Sequence, residues 1–261
     1  MKILKDIDKG LWNSLIDKGI SPNQEIVDSV NQIIDDIRIN RDKALLKYIN
    51  KWDYEIGSEL KPIEINLSAN KIDSSLKEAI DIAYDHIYDF HNKQIPNNIS
   101  YNSLAGISLE KKYIPFESVG LYVPGGSAPL FSTVLMLGIP AQIAANPNVV
   151  LCSPPGLGKE ISPAIQYAAL KCGISKIFPI GGAQAIAAMA LGCSAFKAVN
   201  KLFGPGNSYV NLAKMKFLSL GIPIDLPAGP SELLIWANNP ATASFVASDL
   251  LSQAEHGPDS R

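Results

Sequence analysis

Gln253 and His256 stand three residues apart in the stretch Ser252-Gln253-Ala254-Glu255-His256-Gly257. On a helix that spacing projects both side chains from one face. An amide oxygen and an imidazole nitrogen are acceptable ligands for zinc, and Gly257-Pro258 is a signal that ends the helix just beyond them. The pair makes half of a tetrahedral site, to which Glu255 and Asp259 could add oxygen donors. Spacing leaves a second reading open, in which His256 interacts with the helix dipole and Gln253 faces solvent.

Three glycine turns carry a second kind of chemistry: Gly125-Gly126, Gly181-Gly182 and Gly204-Pro205-Gly206. Glycine lets the backbone approach a phosphate, and a helix N-terminus behind the turn offers unpaired N–H groups to an anion. The same residues also make tight strand-to-helix turns. Neither the GxGxxG fingerprint nor the GxxxxGK[ST] loop is present. Polar side chains in these apolar loops are the remaining clue: Tyr122 beside Pro124, Gln184 after Ala183, Asn207 after Gly206 and Ser231 after Pro230. Each could hydrogen-bond a ribose, an amide or a substrate amine. Asn207 and Ser231 equally suit the N-cap of a following helix.

The elements that position these residues follow from periodicity. Ser21-Pro22 reads as a cap and first-turn proline, followed by Ile26, Val30, Ile33, Ile34 and Ile37 at helical spacing. A second helical piece from Ala44 to Tyr48 follows Arg41-Asp42. A third, from Asp73 to Lys93, places Leu76, Ile80, Ala83, Ile87 and Phe90 on one stripe. Beyond Ala105 short apolar runs alternate with glycine or proline turns and helices. Strands are expected at Val119 to Val123, Asn148 to Cys152, Lys176 to Ile180, Lys201 to Phe203 and Ile224 to Leu226. Helices are expected from about Ser132, Ser162, Gln184, Tyr209 and Ala241. Repetition of strand, turn and helix marks βαβ units and a parallel sheet. Ligands of open α/β sheets bind outside the carboxyl ends of the strands, so the loops should line one crevice.

Composition narrows the function classes. Lys and Arg number 23 against 25 Asp and Glu, a net charge of −2, so no basic field exists to hold nucleic acid. Charges every second or third residue from Met1 to Lys9 exclude a signal-peptide apolar core, and no run reaches membrane-spanning length. Cys152, Cys172 and Cys193 show no CxxC spacing and read as reduced thiols of a cytoplasmic protein's core, with a catalytic thiol as the alternative. His86 and His91 have no ligand partner at suitable spacing and read as solvated or packing side chains.

Five motifs, in order, carry a family resemblance. They are Gly120-Leu121-Tyr122-Val123-Pro124-Gly125-Gly126, Gly181-Gly182-Ala183-Gln184-Ala185-Ile186-Ala187, Phe203-Gly204-Pro205-Gly206-Asn207, Pro227-Ala228-Gly229-Pro230-Ser231-Glu232 and Ser248-Asp249-Leu250-Leu251-Ser252-Gln253-Ala254-Glu255-His256-Gly257-Pro258-Asp259-Ser260. Together they resemble histidinol dehydrogenase, tightly from Val119 onward and more loosely before it. The resemblance implies oxidation of L-histidinol through histidinaldehyde to L-histidine, with two NAD⁺ in succession, one zinc per site and a homodimer that shares its sites. It implies NAD contacts for Tyr122, Gln184 and Asn207, a histidinol contact for Ser231, and zinc and substrate contacts for Gln253 and His256. Zinc would then act as template and charge stabiliser.

The expected architecture is α/β, a Rossmann-like parallel-sheet domain inserted into a second, incomplete Rossmann-like domain, with N-terminal helices. Its expected parts are an N-terminal helical segment at 1–20, helices then strands of domain 1 at 21–114, the inserted NAD-binding domain at 115–230, and the start of the return into domain 1 at 231–261. The resemblance places the Glu-His acid–base pair and the remaining Asp and His zinc ligands beyond Arg261, so no catalytic residue is expected within the chain. A truncated form or one part of a split gene is therefore expected. Two other readings stand beside it: an inactive dinucleotide-binding remnant, and a related zinc- and NAD-dependent dehydrogenase of another polar alcohol.

Overall fold

The computed structural model describes residues 23–65, 72–125, 129–156, 160–227, 233–238 and 242–255. The chain falls into two compact units, one ending at Asp225 and one beginning at Leu226. The first unit is a mixed α/β layer structure built on a five-stranded sheet. Its strands are β1 (Ile63–Glu64), β4 (Ser118–Tyr122), β5 (Asn148–Cys152), β6 (Lys176–Phe178) and β7 (Lys201–Phe203), in the spatial order β1-β6-β5-β4-β7. All pairs are parallel except β1 with β6. A separate antiparallel hairpin joins β2 (Ile99–Leu104) to β3 (Ile107–Lys111).

Side-chain alternation in the strands decides which helices cover which face. Val119, Leu121, Leu151 and Ile177 face one core with α2 (Ser74–Asn92), α3 (Phe131–Ile143) and α4 (Pro163–Lys171). Tyr122, Val150, Cys152 and Phe178 face the other core. That second core also takes α1 (Gln24–Trp52), α5 (Gly182–Leu191) and α6 (Ser208–Ser219). Gly120 lies on this second face, where an added Cβ would stand 2.8 Å from Met189 Sδ. Its missing side chain lets α5 close onto β4.

The helix starts and stops are chemically ordinary. Asn23 accepts from Glu25 N and caps α1, one residue beyond the expected Ser21-Pro22 signal, which lies outside the described residues along with all of 1–20. Asp73 caps α2 and Ser162 caps α4, with Pro163 in the first turn. The break expected near Arg41-Asp42 is present: Arg41 has φ 47° and ψ −129° inside α1. Arg41 donates to the Leu191 carbonyl, and Asp42 accepts from Ser194 N, so the break is fastened to the C-terminal end of α5.

Two sequence expectations are corrected, and one element was not expected. Phe90 is 63% exposed and lies off the buried stripe, of which Ile80 is the fully buried member. The expected strand from Ile224 to Leu226 is a single parallel bridge between Ile224 and Leu202. The Pro223 carbonyl accepts from Leu202 N, but Pro223 itself has no N–H to extend a ladder. The hairpin β2–β3 is absent from the sequence expectations, although Ile99 and Tyr101, and Ile107 and Leu109, alternate with polar residues, and it is exposed at every position.

The second unit contains α7 (Ala243–Ala254), which has no buried residue, and an irregular segment over 233–238. No helix among the described residues is long and apolar enough to cross a membrane.

Candidate functional site

The sheet has a topological switch point between β4 and β7. From β4 the chain passes to β5 and then β6 on one side, and returns to place β7 on the other. Open parallel sheets bind ligands at such a point, outside the carboxyl ends of the strands. Tyr122 ends β4, and Gly204-Pro205-Gly206-Asn207 follows β7, so two of the three residues expected to contact a dinucleotide flank this position. Gln184, the third, lies in the first turn of α5.

Hydrogen bonds draw the loops together. Gly182 N donates to Tyr122 Oη at 3.0 Å, which brings the N-terminus of α5 to the end of β4. Tyr122 is 4% exposed, and burial pushes its phenol up to about 12, opposed by the Gly182 hydrogen bond. The neutral hydroxyl accepts from Gly182 and keeps its own proton to donate. Gly181 and Gly125 both approach the ring of Pro154, where an added Cβ would come within 2.7 and 2.6 Å of it. Gly204 is fixed more firmly still, because at φ +132° its Cβ would run into the Tyr122 carbonyl oxygen.

Asp53 is the residue that sequence reasoning missed. It follows α1, and its Oδ1 accepts from Gly181 N at 3.1 Å while its Oδ2 accepts from Gln184 Nε2 at 3.0 Å. Burial pushes its carboxyl above the usual range, and the bonds from Gln184 and Gly181 oppose that shift. The half of α1 after Arg41 and helix α5 run alongside each other, tied at one end by Arg41 and Asp42 and at the other by Asp53. Both pieces are about 15 Å long at the α-helical rise, so the match in length delivers Asp53 to the N-terminus of α5.

The loop after β7 has its own fastening. Lys214, 2% exposed, donates to the Gly204 carbonyl at 2.6 Å and pairs with Asp225, whose other oxygen accepts from Gly204 N. Asn207 uses its Oδ1 to cap α6 through Val210 N, one of the two roles its sequence position allowed.

Burial raises Cys152, Cys172 and Cys193 above the ordinary thiol range, Cys172 to about 12, and none is in a disulfide. His91 Nδ1 lies 3.0 Å from Gln94 Oε1, and His86 is exposed.

A dinucleotide fits the chemistry of this edge. Ser153, fully buried just after β5, has an Oγ without a partner among the described residues. Gly182 takes φ +62°, and the space its Cβ would fill lies against Gln184 Oε1. Neutral donors and a helix N-terminus thus meet at one strand edge. Gln253 is half-buried in the last turn of α7, whereas Ser231 and His256 lie outside the described residues. Among the described residues no group of three His, Cys, Asp or Glu side chains could hold a metal ion.

The sequence model of the histidinol dehydrogenase family matches residues 17–261. The histidinol dehydrogenase of Idiomarina loihiensis is 45% identical over 247 residues, covering 93% of this chain and 56% of that protein. The histidinol dehydrogenase of Escherichia coli strain K12 is 45% identical over 263 aligned residues, covering 96% of this chain and 60% of its own. The crystal structure of histidinol dehydrogenase from Elizabethkingia anophelis superposes with a TM-score of 0.84 at 41% identity, over 97% of this chain and 59% of that one. The chain therefore spans less than two thirds of the length of the relatives it matches, and across that span it belongs to the histidinol dehydrogenase family.

Proposed function

We propose that this chain supplies the dinucleotide-binding part of a histidinol dehydrogenase, which oxidises L-histidinol to L-histidine with NAD⁺. The observation that carries the reading is the meeting of Tyr122, Gly182 and Gln184 at the carboxyl edge of the sheet, beside the switch point and within the family's matched span. Tyr122 donates its phenolic hydrogen to the bound dinucleotide. The Asn207 amide nitrogen approaches from the β7 side. When bound, the dinucleotide supplies the hydride acceptor.

Ser231, Gln253 and His256 are proposed to meet the substrate, with Gln253 and His256 also meeting zinc. Gln253 offers an amide oxygen, but a zinc site takes three or four protein donors. The described residues do not complete one. A homodimer is proposed as well. The exposed apolar side chains of the β2–β3 hairpin, Ile99, Tyr101 and Leu109 among them, support a partner surface.

The activity is tested by joining or mixing the chain with the C-terminal remainder of the Escherichia coli relative and supplying histidinol and NAD⁺. Two NADH per histidine formed is the expected result. Preferential oxidation of another polar alcohol would overturn the substrate assignment, and zinc analysis of the same preparation tests the metal.

A further inference from the structure

Gln184 is 3% exposed, and its amide nitrogen is committed to Asp53 Oδ2. A carboxylate only accepts hydrogen bonds, so it dictates which way the amide must turn. Asp53 is itself held from the other side, because its Oδ1 takes the Gly181 N–H. The carboxylate therefore cannot swing away without releasing a backbone donor at the end of β6. With Nε2 engaged, Oε1 occupies the side of Gly182 where a side chain would stand, 2.7 Å from the position of an added Cβ, and no group among the described residues donates to it.

We propose that Asp53 is a positioning residue that turns the Gln184 amide oxygen toward the crevice, so that Gln184 recognises a hydrogen-bond donor of the dinucleotide. The proposal rests on the dinucleotide reading of the site. It makes Gln184 an acceptor for a ribose hydroxyl or an amide NH₂, and excludes a phosphate oxygen as its partner. Asp53 contacts no ligand; it acts by fixing the polarity of a side chain that does.

The substitution chosen for the test is Asp53→Asn in the intact chain. The amide oxygen it introduces can still accept from Gly181 N, but the new amide nitrogen faces Gln184 and turns that side chain around, leaving a donor pointed at a donor. NAD⁺ affinity, measured by calorimetric titration, should fall about tenfold to a hundredfold, the range expected for a mispaired buried polar contact. Burial disfavours the charged carboxylate of Asp53, so the substitution should leave the melting temperature unchanged or higher. Asp53→Asn combined with Gln184→Glu should recover most of the affinity. The carboxylate placed at position 184 accepts from the new amide with one oxygen and turns the other to the crevice.

Asp53→Asn binding NAD⁺ as tightly as the unmodified chain would overturn the proposal, and so would a double variant that binds no better than the single one. Failure of the unmodified chain to bind NAD⁺ would instead remove the dinucleotide reading, and this proposal with it. A lower melting temperature in parallel with lost affinity, without rescue, would reduce Asp53 to a structural role.

Discussion

The strand edge of the first unit and the helix of the second hold their functional side chains by different means. Tyr122 and Gln184 are 4% and 3% exposed, and each is fixed by a hydrogen bond to an element distant in sequence. Helix α7, which carries Gln253, buries no residue, and Leu234 and Trp236 in the same unit are 91% and 93% exposed. A helix of 12 residues gains little from intrinsic propensity, and most helical stability in proteins comes from packing an apolar face. Geometry at the first site is therefore set by a core, whereas α7 has only partly buried residues, Val246 and Gln253, to order it.

The largest effect that would sharpen this contrast is expected at Gly204. Gly204→Ala drives a Cβ into the Tyr122 carbonyl at a left-handed backbone angle, and should cost about 4 kcal/mol or more in denaturant unfolding, close to loss of the fold. Next come paired leucines. Leu151→Ala empties a fully buried position between α3, α4 and the sheet and should cost about 2–5 kcal/mol. Leu251→Ala, at 69% exposure on α7, should stay within about 0.5 kcal/mol by the same measurement. Equal costs for the two leucines would erase the distinction between the units.

Lys214→Met should cost about 3 kcal/mol, because it removes the cation that faces Asp225 and the donor to the Gly204 carbonyl in a mostly buried place. The smallest effect belongs to Asp36, whose carboxyl is held down to about 2, first by the hydrogen bond from Lys47 and then by those from Asn40 and Tyr48. The contacts with Lys47 and Tyr48 bridge the break at Arg41. A carboxyl held low in the folded state contributes stability above its unfolded pKa, near 4, and loses it as pH falls toward about 2. Melting temperature against pH should therefore drop less steeply over that window in Asp36→Asn than in the unmodified chain.

Much of the fold was legible because its signals are local. Apolar runs ending in glycine or proline turns marked β4, β5, β6 and β7, and each lies within a residue or two of its expected place. The break at Arg41 was legible as an interruption of helical spacing. The bridge at Ile224 was read as a strand because an apolar run says nothing about whether a partner's ladder continues past a proline. Asn207 shows a different limit: its sequence position allowed both a cap and a ligand contact, and only the Val210 N–H bond decided how its oxygen is used.

Asp53 could not be read at all. Its partners lie 128 and 131 residues away, and nothing in Trp52-Asp53-Tyr54 marks the carboxylate as buried. Only the antiparallel fit of two helices of matched length brings it to the glycine turn. Residues that touch a ligand tend to sit in recognisable loops, whereas residues that orient them are found by tertiary closure.

Calorimetric titration of NAD⁺ into the unmodified chain and into Gln184→Ala tests the central claim most directly. The strand-edge account expects stoichiometric, saturable binding to the unmodified chain and affinity at least about tenfold weaker in Gln184→Ala, with the fold intact by circular dichroism. Absence of binding to the unmodified chain, or equal affinity in the two, would contradict it.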